Sequence, residues 1–144
     1  MATTTATLSI SSADLQGSPL SINTSTTLTQ AGTTAGLSLM EMGKGKISET
    51  DGSKSLQVLP TALGNDGASK LYLCNNATDA TYYLDVDIHD TNLGRLYAGD
   101  WMFIPWSMTD TDAEIVIEAE PAGATINYEW ACFKEAETLV AHSY

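Results

Sequence analysis

The sequence predicts an all-β protein, built as a single antiparallel β-sandwich or jelly-roll-like barrel with an extended N-terminal arm. Three observations predict this fold class. Strand-like runs and turn signals follow one another about every 8–12 residues, as in sandwiches and barrels. Several runs alternate apolar and polar residues, and none has a convincing helical apolar period. The 144 residues, of which 43% are hydrophobic, suffice for the core of one domain.

The uneven distribution of charge divides the chain. We predict a low-charge N-terminal arm or pair of strands, rich in Thr and Ser, over residues 1–36, and a β-sandwich domain over residues 37–144. Asp14 is the only charged residue among the first 40. Such a segment hydrates its hydroxyl groups but has little charge repulsion to keep it away from a neighbouring molecule.

Two short strand-like runs lie in this N-terminal segment. Residues 6–10 alternate, which places Leu8 and Ile10 on one face, and residues 20–22 form a second, shorter run. A Gly-Ser-Pro sequence at residues 17–19 breaks the chain between them. Two interpretations stay open: two ordinary strands of the main sheet, or an extended arm whose backbone pairs with a neighbouring subunit.

The middle of the chain predicts further strands. Residues 43–47 hold two of the six basic residues, and we interpret them as a solvated loop or an edge strand rather than a salt-bridging patch. Residues 55–59 predict a strand that ends at Pro60, and residues 70–75 predict another that ends at Asn75.

Residues 82–89 alternate most clearly and predict a half-buried strand, which residues 93–97 follow as a further strand. The residues expected on the buried side are Leu84, Val86 and Ile88. Those expected on the other side are Tyr83, Asp85, Asp87 and His89.

The last third of the chain contains its most apolar run, residues 101–106, where Pro105 fits a strand end or an edge strand. Residues 114–120 and 125–133 alternate on either side of a Pro-Ala-Gly turn and predict a hairpin-like pair. We expect residues 135–141 to form a tail or an edge strand rather than a helix, because the run is short and terminal.

The charge balance disfavours several classes of partner. The net charge is −12, from 18 acidic and 6 basic residues, which disfavours binding to nucleic acid and to anionic membranes. No stretch approaches the ~18 apolar residues of a membrane span, and the N-terminus lacks the layout of a signal peptide. We therefore expect synthesis in a cytoplasm, with Cys74 and Cys132 as buried thiols rather than a disulfide.

We find no catalytic, cofactor-binding or metal-binding constellation and expect a protein that is not an enzyme. His89 shares a strand face with Asp85 and Asp87, but at steps of ~6.6–7 Å three such ligands do not easily converge on one ion without help from another strand, so a polar solvent face is expected. The acidic run at residues 110–114 lacks the Gly and Glu that an EF-hand loop requires. Nucleophile-elbow, phosphate-loop, zinc-helix and dinucleotide motifs are missing from the sequence.

Aromatic residues concentrate in the predicted strands. They suggest a core or subunit-interface role in preference to a glycan platform. They are Tyr82, Tyr83, Tyr97, Trp101, Phe103, Trp106 and Tyr128.

One part of the sequence resembles a known group of proteins. The segment Lys-Leu-Tyr-Leu-Cys-Asn-Asn-Ala-Thr-Asp at residues 70–79 resembles a recurrent segment of small virion structural proteins of tailed bacteriophages, especially marine and cyanobacterial ones. The block at residues 94–106, the last strand at 126–133 and the Thr-rich opening with residues 32–37 fit the same group. The resemblance covers most of residues 70–133.

The resemblance implies a structural virion protein, made in the cytoplasm of a bacterial host and present in many copies on the particle. Its expected role is capsid decoration, or cementing, in which subunit contacts stabilise the phage head. The expected partners are the major capsid protein and copies of the chain itself, as a homo-oligomer. The alternative is a tail or head-fibre component, or a glycan- or receptor-binding module.

The expected interface combines the N-terminal arm with the apolar run at residues 101–106, because both are apolar and carry almost no charge. The residues chosen are Leu8, Ile10, Ile22, Trp101, Phe103 and Trp106.

Overall fold

A computed structural model describes residues 3–14, 17, 19–30, 32–37, 39–55, 68–106 and 115–136. The chain forms two compact units, Met1–Ser38 and Leu39–Tyr144. The predicted boundary lay between residues 36 and 37. The acidic run at 110–114, most of the strand predicted at 55–59 and nearly all of the terminal run at 135–141 lie outside the described residues.

The described residues form β-strands and the 3-10 turn Glu49–Asp51, with no α-helix among them. The strands of the first unit are β1 (Thr4–Ser12) and β2 (Leu20–Leu28). Those of the second unit are β3 (Leu39–Ser48), β4 (Lys54–Ser55), β5 (Ala68–Asn75), β6 (Tyr83–Ile88), β7 (Thr91–Tyr97), β8 (Trp101–Trp106), β9 (Ile115–Glu120) and β10 (Thr125–Ala136).

The first unit is an antiparallel hairpin in which β1 and β2 pair along their whole length, from Thr4 opposite Leu28 to Ser12 opposite Leu20. Neither strand belongs to either sheet of the second unit. The interpretation of these segments as strands of the main sheet is therefore wrong. The two strands pair with each other instead, through the backbone groups that point inward between them.

The second unit is an antiparallel sandwich of two four-stranded sheets, in the orders β3-β10-β5-β8 and β4-β9-β6-β7. The pairs β3·β10, β4·β9, β5·β8 and β6·β7 are nested in the sequence. Nested pairs of this kind describe one long antiparallel ribbon rolled into two sheets, which is the strand order of a jelly roll. The predicted all-β sandwich is confirmed.

Alternating side chains from both sheets fill one core. Leu84 and Val86 of β6 are fully buried, as their alternation predicts, and Ile88 packs against them from the rim of the cluster. Among the described residues, the other large aliphatic side chains that are fully buried are Ile47, Leu71, Leu73, Ile115, Ile117 and Ile126. Strand alternation thus separates core and surface in both sheets.

The hairpin predicted for β9 and β10 is wrong. β9 pairs with β4 and β6, whereas β10 pairs with β3 and β5 in the other sheet. The turn after Glu120, where the Ala124 N–H donates to the Pro121 carbonyl at 2.9 Å, carries the chain from one sheet to the other. Both strands turn apolar side chains to the core, so they face each other across it instead of lying side by side.

A buried amide fastens the end of β5 to the neighbouring strands. The Asn75 side chain is fully buried; its Nδ2 donates to the Leu96 carbonyl at 2.8 Å and its Oδ1 accepts from the Ala77 N–H at 2.8 Å. The Asn75 backbone also bonds to the turn before β8, donating to Asp100 and accepting from Gly99. This network fixes where β8 begins, and with it the position of Trp101.

Candidate functional site

The outer face of the sheet β3-β10-β5-β8 carries large apolar side chains that the core does not use. The strand register places them in two rows across all four strands and at one corner of a third. We call this surface the aromatic face and define it by Met40, Met42, Tyr72, Trp101, Phe103 and Phe133.

The central row of the aromatic face crosses the sheet from Met42 through Ala131 and Tyr72 to Phe103. The row beside it joins Met40, Phe133, Lys70 and Pro105. The Phe103 and Phe133 rings form an edge-to-face contact with centroids 6.3 Å apart, a geometry that stabilises aromatic pairs. The two rows are therefore mostly apolar, and Lys70 is the charged residue within them.

Several of these side chains are far more exposed than a strand in a sandwich requires. Met42 is 68% exposed, Trp101 49% and Met40 47%. Methionine and tryptophan are residues that protein interfaces favour, and methionine adapts its shape to a partner surface. The aromatic face thus has the composition of an interface rather than of a solvated sheet.

Edge strand β3 can carry these methionines because two glycines let it lie against β10. A Cβ at Gly43 would come within 2.9 Å of the Trp130 ring, and one at Gly45 would overlap the Tyr128 ring. On the inner face of the sheet, the Trp130 and Tyr128 rings of β10 occupy the space that side chains at Gly43 and Gly45 would need. The predicted loop or edge strand at residues 43–47 is thus an edge strand.

Charged side chains border the aromatic face. Glu129 accepts a hydrogen bond from the Tyr72 hydroxyl at 3.3 Å and lies 4.0 Å from the Lys44 ammonium, while Lys70 pairs with Glu135 at 2.6 Å. Burial is the main cause that raises the pKa of Tyr72, and the neighbouring Cys74 and Glu129 raise it further. Tyr72 therefore stays a neutral hydrogen-bond donor well above physiological pH.

The outer face of the other sheet has the opposite chemistry. Register and alternation place four carboxylates there, from Asp85, Asp87, Glu118 and Glu120. Their basic neighbour on that face is Arg95, whose guanidinium lies 4.5 Å above the Tyr83 ring. The sandwich consequently has one apolar face, on which three lysines accompany two glutamates, and one acidic face.

The structure brings only part of the predicted interface together. Trp101 and Phe103 lie on the aromatic face, but Trp106 points to the other side of β8 and is only 6% exposed. The alternation of the strand explains the difference, because residues 101 and 106 have opposite parity. Trp106 is thus a core residue, and its choice as an interface residue is corrected.

The other three chosen residues lie in the hairpin. Register places Leu8, Ile10 and Ile22 on one face of it, where Ile10 is 45% exposed and Ile22 43% exposed. Sequence reasoning missed Met40, Met42 and Phe133. Their alternation was visible in the sequence, but only the register of four strands shows that they adjoin Trp101 and Phe103.

No family model matches the sequence, and no curated protein is similar enough to count as a relative. Within the described residues, no helix is long and apolar enough to cross a membrane, and no three His, Cys, Asp or Glu side chains are grouped to hold a metal ion. Cys74 and Cys132 are free and buried, which confirms the expectation of two buried thiols.

On the acidic face, Asp85 and Asp87 have a hydrogen-bond partner within the chain. The Asn92 side-chain amide donates to Asp85 at 2.6 Å and to Asp87 at 2.8 Å. His89 lies in the turn after β6 rather than in the strand, with a φ of 52°. Its Nε2 is 3.2 Å from the Asp90 carboxylate. An amide therefore bridges the two aspartates, and the histidine no longer shares their face.

Proposed function

We propose that this chain is a structural virion protein, a capsid decoration or cement protein that binds the major capsid protein through the aromatic face and stabilises the phage head. The observation that carries the proposal is the exposed aromatic face, with Met42 68% and Trp101 49% exposed on an otherwise acidic domain. The resemblance to small virion proteins supplies the type of particle. Under this proposal the chain is made in the cytoplasm of a bacterial host and acts on the virion.

The size of the aromatic face supports a docking role. Four strands and two to three rows of side chains span about 15–20 Å in each direction, or roughly 300 Å². This is the size of the largest apolar patch on a typical soluble monomer, which is often functional. A docking site of this size suits a protein present in many copies, because repetition on a shell multiplies modest contacts.

The charge of the two faces supports a defined orientation. The face bearing Lys44, Lys46 and Lys70 would lie against the capsid, whose matching surface would have an apolar centre and an acidic rim. The acidic face would point to solvent, where like charges keep decorated particles from adhering to one another. Jelly rolls are frequent in viral capsid proteins and in lectins, and this likeness is one of fold alone.

A glycan- or receptor-binding module on a tail or head fibre is the second candidate. The half-exposed Trp101 ring beside the Tyr72–Phe103 row favours it, because sugars stack on such rings. The two candidates differ in partner: a decoration protein binds capsomers in icosahedral copy number, whereas a glycan binder binds isolated sugars without any capsid.

The deciding experiment is a cryo-EM reconstruction of the particle that contains this chain, followed by rebinding of purified variants to particles stripped of it. Density that bridges capsomers on the outer shell, with the aromatic face inward, is expected. Trp101→Ala should reduce the bound copies at least tenfold. The matched control Tyr97→Ala, which removes a 41% exposed ring from the other sheet, should leave them unchanged.

Density confined to the tail would overturn the decoration role and support a fibre component. Binding to a glycan array that Trp101→Ala abolishes, with no binding to heads, would support the glycan-binding module instead. Equal loss of head binding with both variants would show that the aromatic face is not the docking surface.

A further inference from the structure

The N-terminal hairpin has two faces of opposite chemistry. Every residue of one face is Ser, Thr or Asn, and the Thr7 and Ser25 hydroxyls lie 3.1 Å apart across the strands. The residues of this polar face are Thr5, Thr7, Ser9, Ser11, Ser21, Asn23, Ser25 and Thr27. Water readily hydrates a surface of hydroxyl groups, so we expect this face to be exposed to solvent.

The other face of the hairpin is apolar at its centre. Ile10 and Ile22 lie directly opposite each other and form a central isoleucine pair, 45% and 43% exposed. Leu8 and the 36% exposed Leu20 lie diagonally on either side of the pair. A two-stranded hairpin by itself is only marginally stable in water. Packing of another surface against the exposed isoleucine pair would therefore stabilise it.

We propose that a second copy of the same hairpin covers this face, so that the chain self-associates through its N-terminal unit. Charge favours a second copy. The chain carries a net charge of −12, yet neither strand of the hairpin contains an ionisable side chain. Two copies that meet along these strands bring together only the single Asp14 that each carries between them, whereas contacts between their acidic faces would set several carboxylates against one another. A partner attracted by charge would find nothing to bind on these strands.

The pattern of side chains on this face is also complementary to itself. Relative to the central isoleucine pair, Leu8 is one step away on β1 and Leu20 one step away on β2 in the opposite direction. A two-fold axis parallel to the strands would place Leu8 of one copy over Thr24 of the other, and Leu20 over Ser12. Large side chains would then meet smaller ones, as an isologous interface requires.

The dimensions of the hairpin set the expected strength of the association. Nine residues per strand give a ribbon ~30 Å long and ~10 Å wide, so face-to-face packing would bury roughly 600 Å² in total. This is below the ~1,200 Å² of standard stable complexes. The association should therefore be weak and reversible, and visible as a rise of mass with concentration.

The test is sedimentation velocity of the purified full-length chain from about 1 to about 500 µM. The wild type should shift from monomer toward dimer across this range. The double variant Ile10→Thr, Ile22→Thr keeps β-forming residues but makes the face polar, and it should remain a monomer. The matched control Ser9→Thr, Asn23→Thr alters the directly opposed pair on the polar face and should associate like the wild type.

Cross-linking tests the same contact without the double variant, whose hairpin could unfold and so remain monomeric for a different reason. Ile22→Cys should be joined to a second copy by a short bismaleimide, whereas Asn23→Cys, on the opposite face, should stay mainly monomeric. The native Cys74 and Cys132 are buried and supply a low background.

A wild type that stays monomeric throughout the concentration range would overturn the proposal. So would equal association of the double variant, or equal cross-linking at positions 22 and 23. These measurements use free protein without any particle, so their outcome is independent of whether the chain decorates a capsid.

Discussion

At the scale of single residues, the buried Asn75 amide is the position on which most of the local geometry depends. Asn75→Ala would leave the Leu96 carbonyl and the Ala77 N–H without these partners in the interior. We expect a loss of about 2–4 kcal/mol in the free energy of unfolding, measured by urea denaturation. The neighbouring Asn76→Ala, at an exposed side chain, should cost less than about 1 kcal/mol. Similar losses for both variants would contradict this role for the amide.

Tyr72 leads to a prediction about pH at the same scale. Burial, Cys74 and Glu129 raise its pKa in the folded state, whereas the unfolded chain ionises near the ordinary value of about 10. At a pH between the two pKa values, the unfolded state binds fewer protons than the folded state. The contribution of Tyr72 to the free energy of unfolding is therefore fully present below pH ~10 and decreases as the pH rises further. Urea midpoints from pH 8 to 11 should therefore fall less steeply for Tyr72→Phe than for the wild type, and identical slopes would refute this.

At the scale of elements, strand β8 places Trp101 and Trp106 on opposite faces of its sheet. Trp106 is buried in the core, so Trp106→Ala should destabilise the fold by about 3–5 kcal/mol. Trp101→Ala, at the half-exposed end of the same strand, should cost less than about 1 kcal/mol and mainly affect binding. Thermal unfolding of both variants checks this, and a stable Trp106→Ala protein that fails to bind heads would restore the interface role.

Strand existence and strand faces could be predicted from the sequence, because the alternation that encodes them is local. Leu84 and Val86 are buried as predicted. Pairing could not be predicted in the same way. The Pro-Ala-Gly turn between β9 and β10 is compatible with a hairpin and with a crossing between sheets, and the choice depends on which strands already occupy each sheet.

The candidate site was only partly predictable for the same reason. Trp101 and Phe103 stand out in the sequence as apolar residues, but Met40 and Phe133 join them only through the register of strands far apart in the chain. The role of Gly43 and Gly45 was likewise hidden, since it depends on the aromatic side chains of the partner strand. Non-local pairing, rather than residue type, carries this information.

At the scale of the whole molecule, the opposition between an apolar face with lysines and an acidic face predicts how binding depends on charge. Lys46 is exposed on the same side of its sheet as the aromatic face, four residues along β3 from Met42, while Lys54 lies exposed in the other sheet. Glutamate at either position changes the net charge equally, so long-range repulsion from the particle changes equally. Only Lys46→Glu removes a charge from the proposed contact rim.

We therefore expect Lys46→Glu to slow association with stripped heads about 3–10-fold at low salt, with Lys54→Glu close to the wild type. Added salt should narrow the difference, because screening weakens contacts between exposed charges. Surface plasmon resonance on immobilised heads at two salt concentrations measures both effects. Equal slowing by the two variants would mean that net charge alone governs the encounter, and the orientation of the sandwich on the shell would have to be reversed or abandoned.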